Sequence, residues 1–255
     1  MIQRGQDSNV NPGMILGDRF AWQSIRLVMF DLAGTTVSDG SLGGSIVTEA
    51  FVSTFREAGL ALDDDAVSAQ RGKDKRDAIR QLLLEVRPTF PVSEEDVDSC
   101  LSRFLSRLKD RLTEFEEIPG ASEVLRFLQR IGIRIGIGSG LPQEFVETIL
   151  LRLGWMKEGL VDLAVSTERV GAGRPDPRMI HHAMEHFGID DPRRVLKVGD
   201  TVSDIEEGRN AGTWTAAVVT GTQSEERLRA ASPDFILPSV ADIPILFPKT
   251  EKDTS

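Results

Sequence analysis

The chain has 255 residues, 40% of them hydrophobic and 27% charged, and a formal net charge of −10. That length accommodates one sizeable core with a smaller inserted domain, and the acidic balance argues against nucleic acid or an anionic membrane as the main partner. A single cysteine, Cys100, excludes an internal disulfide and a Cys-His metal cluster; with no stretch resembling a signal core or a membrane span, the cytoplasm is the default compartment.

Residues 1–24 are polar and carry Gly, Asn and Pro, so they read as a loosely ordered extension, with Met14 as an alternative start. LVMFD (27–31) is a short apolar run ending in an acid, as a buried strand would. Residues 41–117 carry helical periods only, over 44–58, 63–69, 74–86 and 93–115, with Pro88 and Pro91 marking a turn. Nothing in that stretch reads as a strand. Helical and apolar segments then alternate: helix 121–131, strand 133–140 (IRIGIGSG), helix 142–153, strand 161–166 (VDLAVS), helix 175–187, strand 194–200 (RVLKVGD), helix 202–211, strand 213–221 (TWTAAVVTG) and helix 223–231. This order predicts an α/β fold, a Rossmann-like doubly wound parallel sheet, with an all-helical cap inserted after the first strand. The expected division is a core of 25–40 and 117–250 and a cap of 41–116. Asp39-Gly40 and Pro119-Gly120 supply turns at the junctions. Cys100 and the three histidines, His181, His182 and His186, are expected to be helix residues without a role.

Ligands in such sheets bind beyond the carboxyl ends of the strands, where Asp31, Ser139 and Asp200 fall. Asp31 precedes a Gly-Thr-Thr turn, which suits a nucleophilic carboxylate beside backbone N–H groups that hold phosphoryl oxygens. An aspartate that merely makes a turn would look the same. In VGDTVSDIEEGRNAG (198–212), Asp204 follows Asp200 by four residues, a spacing that suits a hard divalent cation. Helix capping by Asp200 is the plainer alternative. In GAGRPDP (171–177), Arg174 precedes a proline expected at the first turn of a helix and offers a cation for a phosphoryl group. Ser139, in a GSG turn with Gly140, offers a hydroxyl and backbone N–H groups.

These pieces, in this order, resemble the haloacid dehalogenase superfamily of phosphotransferases over about residues 27–247. The resemblance implies that Asp31 attacks phosphorus and forms an aspartyl phosphate. It implies Mg²⁺ held by Asp31, the Ala33 carbonyl and Asp200, with Asp204 in support. Gly34, Thr35 and Thr36 would shape the nucleophile loop, and Gly34, Thr35, Ser139, Gly140 and Arg174 would bind the phosphoryl group.

Most phosphatases of that superfamily carry an acid where this chain has Ala33. DLAGTTV, AGRPDP and GDTVSDIEEGRNAGTWT are similar to the phosphonoacetaldehyde hydrolase (phosphonatase) branch, which has alanine there. That branch cleaves a carbon–phosphorus bond with a cap lysine that forms a Schiff base with the aldehyde. Gly72 and Lys75 in QRGKDKRDAIRQLLLEV (70–86) match the spacing of its cap motif. Lys75 lines up with Ala78, Ile79, Leu82 and Val86, so it heads an apolar stripe, where burial and the neighbours Arg71, Lys73 and Arg76 are expected to lower its pKa. The chain departs from the branch at Arg71 (methionine there), Ala78 (histidine) and Leu141 (aromatic). The resemblance implies a small phosphonate aldehyde as substrate. A phosphatase of small phosphate monoesters, with Arg71, Gly72 and Lys75 only binding substrate, is the alternative, and a binding protein that lost catalysis is a third. A homodimer through the cap is compatible with the apolar positions of 44–58.

Overall fold

The computed structural model describes residues 20–40 and 45–247. Met14 and most of the predicted extension lie outside the described residues. Of that extension, Phe20 packs edge-on against Trp214 and Phe235, and Trp22–Ser24 forms one 3-10 turn.

The first strand, β1 (Leu27–Asp31), leads through a turn into the two-residue strand β2 (Val37–Ser38). Four helices follow: α1 (Ile46–Glu57), α2 (Asp64–Ala69), α3 (Lys75–Val86) and α4 (Glu94–Asp110). Strand β3 (Glu116–Glu117) then pairs antiparallel with β2, so the chain leaves and re-enters the core at one ladder. The rest alternates: α5 (Ala121–Arg130), β4 (Arg134–Ser139), α6 (Gln143–Arg152), β5 (Leu163–Ser166), α7 (Thr167–Val170), α8 (Arg178–Phe187), β6 (Val195–Gly199), α9 (Val202–Ala211), β7 (Trp214–Val218), α10 (Glu225–Ala230) and β8 (Phe235–Leu237).

Six strands form one parallel sheet in the order β5-β4-β1-β6-β7-β8. Each face of β1 is apolar. Val28 and Phe30 join the larger core with α5 and α6, while Leu27 and Met29 pack with Met179, Ile180 and Ala183 of α8. That two-sided burial is why these strands read as continuous apolar runs rather than as alternating ones.

The structure adds elements that the periodicity does not show. β3 lies inside the stretch expected to hold no strand. Two glutamates carry no strand signal, and only their pairing with Val37 and Ser38 makes them one. β8 and α7 are likewise too short for a period. Pro175 does not enter a helix: α8 begins at Arg178, with Pro177 at its N-cap, and the Asp176 carboxylate accepts from the Arg178 N–H (3.0 Å) to close a local turn before it. Cys100 is buried in α4, and His181 and His186 are exposed on α8. Among the described residues, no helix is long and apolar enough to cross a membrane.

Candidate active site

Parallel pairing of β1 with β4 and β6 brings the ends of three strands to one edge. Asp31 ends β1, Ser139 ends β4, and Asp200 follows β6. Asp31, Asp200 and Asp204 each offer a carboxylate oxygen within 4.8 Å of the others, and all three are buried. Thr35 Oγ1 donates to Asp200 Oδ1 (2.9 Å). Asp200 Oδ2 is buried without a donor. Gly34, at φ +101°, makes the turn over this carboxylate possible, because a Cβ there would lie 2.7 Å from Asp200 Cγ.

Helix α9 is not capped by Asp200. Thr201 is the N-cap, and its N–H (3.2 Å) and Oγ1 (2.5 Å) both donate to Asp204 Oδ2 in a capping box. The other Asp204 oxygen faces Lys197 Nζ at 2.8 Å and Arg174 Nη1 at 3.3 Å. Asp204 therefore supports the cluster and starts the helix in one.

Arg174 is fully buried among carboxylates. Its Nη1 donates to Asp31 Oδ1 (2.5 Å), its Nε to Glu207 Oε2 (2.8 Å) and its Nη2 to the Gly138 carbonyl (2.8 Å). Lys197 also reaches Glu207, at 3.1 Å. Lys197 and Glu207 did not emerge from the motifs. Their signal was a lysine inside the apolar run RVLKVGD, since a charge on a strand buried on both faces must have a partner.

The charges explain what the cluster can hold. Asp31, Asp204 and Glu207 pair with Arg174 and Lys197, Asp200 pairs with neither, and Arg71, which acts on Asp200 from nearby, is itself neutralised by Asp39. Burial, and then the negative charges of Asp31 and Asp204, push the Asp200 carboxyl well above its ordinary range. Burial also raises Asp31, against the pull of Arg174. For Asp204 burial works the same way, but Arg174 and Lys197 outweigh it and hold the carboxyl low. Two excess negative charges in the ionised network, with an unpartnered Asp200 oxygen at its centre, fit a hard divalent cation bound by oxygen.

A small, partly open cavity lies beside Asp31. Asp31, Ala33, Ser139 and Gly140 line it from the core, and Val47, Arg71, Gly72 and Lys75 from the helical segment. Lys75 is 7% exposed, and its Nζ donates to the Lys73 carbonyl (2.8 Å). Burial, and then Arg71, lower its pKa to about 8. The expected helpers Lys73 and Arg76 are drawn elsewhere: Arg76 turns outward to pair with Glu94 and Asp98 of α4, and Lys73 bonds to Gln70. Arg174 also lowers the value, while Asp74 and Asp31 raise it. Arg71, expected to bind substrate, lines the cavity but directs Nη1 to Asp39 Oδ2 (3.0 Å) and Ser45 Oγ (2.7 Å), tying the two ends of the first connection together. Ser139 Oγ accepts from the Leu141 N–H (3.2 Å). Gly72, at φ +79°, lets the loop lie on Thr201, whose Oγ1 would be 2.6 Å from a Cβ. Thr35 braces Asp200 rather than facing the cavity, and Thr36 bonds back to the carbonyls of Asp31 and Leu32.

Residues 25–212 match the family model of haloacid dehalogenase-like hydrolases. A phosphonoacetaldehyde hydrolase of Latilactobacillus sakei is 30% identical, covering 88% of this chain and 96% of its own. One from Bordetella pertussis is also 30% identical, over 86% of this chain and 90% of its own. In fold, the chain is similar to a phosphonoacetaldehyde hydrolase-like protein from Oleispira antarctica (TM-score 0.74, 23% identity, 97% of this chain and 100% of that one). It is also similar to a β-phosphoglucomutase from Clostridium difficile (TM-score 0.73, 16% identity, 90% and 96%). With the strand-edge carboxylates and Arg174 in place, this chain belongs to the haloacid dehalogenase-like hydrolases, in their phosphonoacetaldehyde hydrolase-like branch.

Proposed function

We propose that this enzyme cleaves the carbon–phosphorus bond of a small phosphonate aldehyde, of the phosphonoacetaldehyde type, with residues 41–116 acting as a cap. The observation that carries it is Lys75: a buried amine with a pKa near 8 shares one cavity with Asp31 and with Ala33, where an acid would otherwise stand. An amine of that pKa is substantially neutral near pH 8 and can attack an aldehyde.

The neutral Lys75 amine adds to the substrate aldehyde and, with one proton taken up from solvent, expels water, which leaves an iminium. An Asp31 oxygen then bonds to phosphorus. The carbon–phosphorus electron pair passes through carbon to the iminium nitrogen, so the organic product leaves as an enamine. Protonation at carbon and hydrolysis release the aldehyde and the Lys75 amine. Water hydrolyses the aspartyl phosphate. No alkoxide leaves, so the position of Ala33 needs no acid. Arg174 and the Ser139 turn bind the phosphoryl oxygens. Asp31, the Ala33 carbonyl and Asp200 would hold Mg²⁺, which neutralises phosphoryl charge.

The test incubates the enzyme and Mg²⁺ with phosphonoacetaldehyde and follows phosphate and acetaldehyde together, with a simple phosphomonoester in parallel. Equal release of both products, and borohydride trapping of substrate on Lys75, are expected. Turnover of the ester alone would replace this function with that of a monoester phosphatase, in which Arg71, Gly72 and Lys75 only bind.

A further inference from the structure

Lys75 is the first residue of α3, so whatever starts that helix also aims the amine. Asp74 starts it: Oδ1 accepts from the N–H groups of Arg76 (2.9 Å) and Asp77 (3.2 Å). Any short polar side chain could do as much. The second oxygen is not needed for the cap. Asp74 Oδ2 accepts from Thr167 Oγ1 (2.8 Å), 93 residues away and across the boundary between the helical segment and the core. Thr167 is 2% exposed and opens α7, directly after β5 at the carboxyl edge of the sheet.

The core is cut to receive this loop. A Cβ on Gly173 would lie 2.6 Å from Asp74 Cβ and 3.0 Å from its backbone N. A Cβ on Gly140 would meet the Lys73 carbonyl and lie 3.1 Å from Lys75 Nζ. Arg174 Nη1 adds a bond to the Gly72 carbonyl (3.2 Å). Two glycines and one hydroxyl from three separate core loops thus converge on residues 72–75.

We infer that Asp74 and Thr167 are a positioning pair for Lys75: one carboxylate both begins the helix that carries the amine and fastens it to the core, so the amine faces Asp31 only when the segment is docked. This rests on Lys75 being the imine-forming amine, but the docking itself does not. The bond joins a hydroxyl to an ionised acceptor, the stronger class of hydrogen bond. Asp74 also supplies a negative charge beside Lys75, together with Asp31 and against Arg71 and Arg174.

The experiment compares Thr167→Val, Thr167→Ser and Asp74→Asn with the wild-type enzyme in Mg²⁺. Amide hydrogen exchange of residues 68–77 reads the docking without any substrate. Steady-state cleavage of phosphonoacetaldehyde and borohydride trapping on Lys75 read the chemistry. Thr167→Val is expected to speed exchange and lower kcat about tenfold with a matching loss of trapping, and Thr167→Ser to restore both. Asp74→Asn can still cap through Oδ1 and donate to Thr167 through Nδ2. It is expected to keep most of kcat while the rising limb of the pH profile moves to lower pH, because a charge that raises the Lys75 pKa is gone. Wild-type exchange in Thr167→Val, or no recovery in Thr167→Ser, would overturn the pair. If the wild-type enzyme fails to cleave the phosphonate, the proposed function falls, while the exchange data still decide the docking.

Discussion

Lys75 shows how a side chain's chemistry follows from where a helix begins. Its stem lies on the apolar face shared by Ala78, Ile79 and Leu82, all fully buried, and burial lowers its pKa to about 8. The amine must be neutral to attack, so kcat/KM is expected to rise with pH through about 8, as measured under Mg²⁺ saturation. Lys75→Arg keeps the charge and cannot form an imine. It is expected to lose activity by on the order of 10³-fold or more and all borohydride trapping. Glu207 illustrates a different dependence. It is buried between Arg174 Nε and Lys197 Nζ, and removing it leaves Arg174 Nε without its acceptor, while Asp31 and Asp204 still pair with the two cations. Glu207→Ala is expected to cost about 1–3 kcal/mol in a urea titration of the metal-free protein.

At the scale of elements, the site is made where loops from different strands approach too closely for side chains. Gly140 needs no unusual backbone angle, but a Cβ on it would run into the Lys73 carbonyl. Gly140→Ala is therefore expected to lower the unfolding free energy read from a urea titration by about 1–3 kcal/mol, since a backbone carbonyl must shift to admit the new Cβ. Its kcat is expected to fall about tenfold or more, because the loop bearing Lys75 cannot seat. Wild-type kcat in this variant would show that the loop does not need that seat. Helix α9 couples elements in another way. The same Asp204 that completes its capping box with Thr201 anchors Lys197 of β6, so the helix start and the strand end move together.

For the whole molecule, the dominant electrostatic fact is a buried excess of negative charge at the sheet edge. The Asp200 carboxyl is held above its ordinary range, so in the metal-free fold the stability present below the unfolded-state pKa is lost as pH rises through the folded one. A divalent cation offsets this. Mg²⁺ at 100 times its dissociation constant is expected to add about 2.7 kcal/mol, read as a rise in thermal midpoint that EDTA reverses. Asp200→Asn is expected to raise the midpoint of the metal-free protein and to abolish the response to Mg²⁺. A variant that still responds would place the cation elsewhere.

Much of this was legible in order and spacing. The central strands β1, β4, β6 and β7 are buried on both faces, so their apolar runs stand out, and the acids at the ends of two of them mark the edge where a ligand binds. Lys75 was legible for a similar reason, as a cation heading an apolar stripe. The strand pair β2-β3 was not legible, because two glutamates acquire strand character only from their partner. The partners of the charged residues were hidden too. Arg76 was expected to act on Lys75 and instead faces α4; Arg71 was expected to meet substrate and holds Asp39; Lys197 and Glu207 were passed over and turn out to surround Arg174. Local periodicity determines which face of an element is buried, and so the sequence by itself determined the sheet, its helices and the edge where chemistry collects. Which cation neutralises which carboxylate, and which loop closes on Lys75, are contacts between residues tens to more than a hundred positions apart, such as Asp31 with Arg174, and only the packed chain decides them.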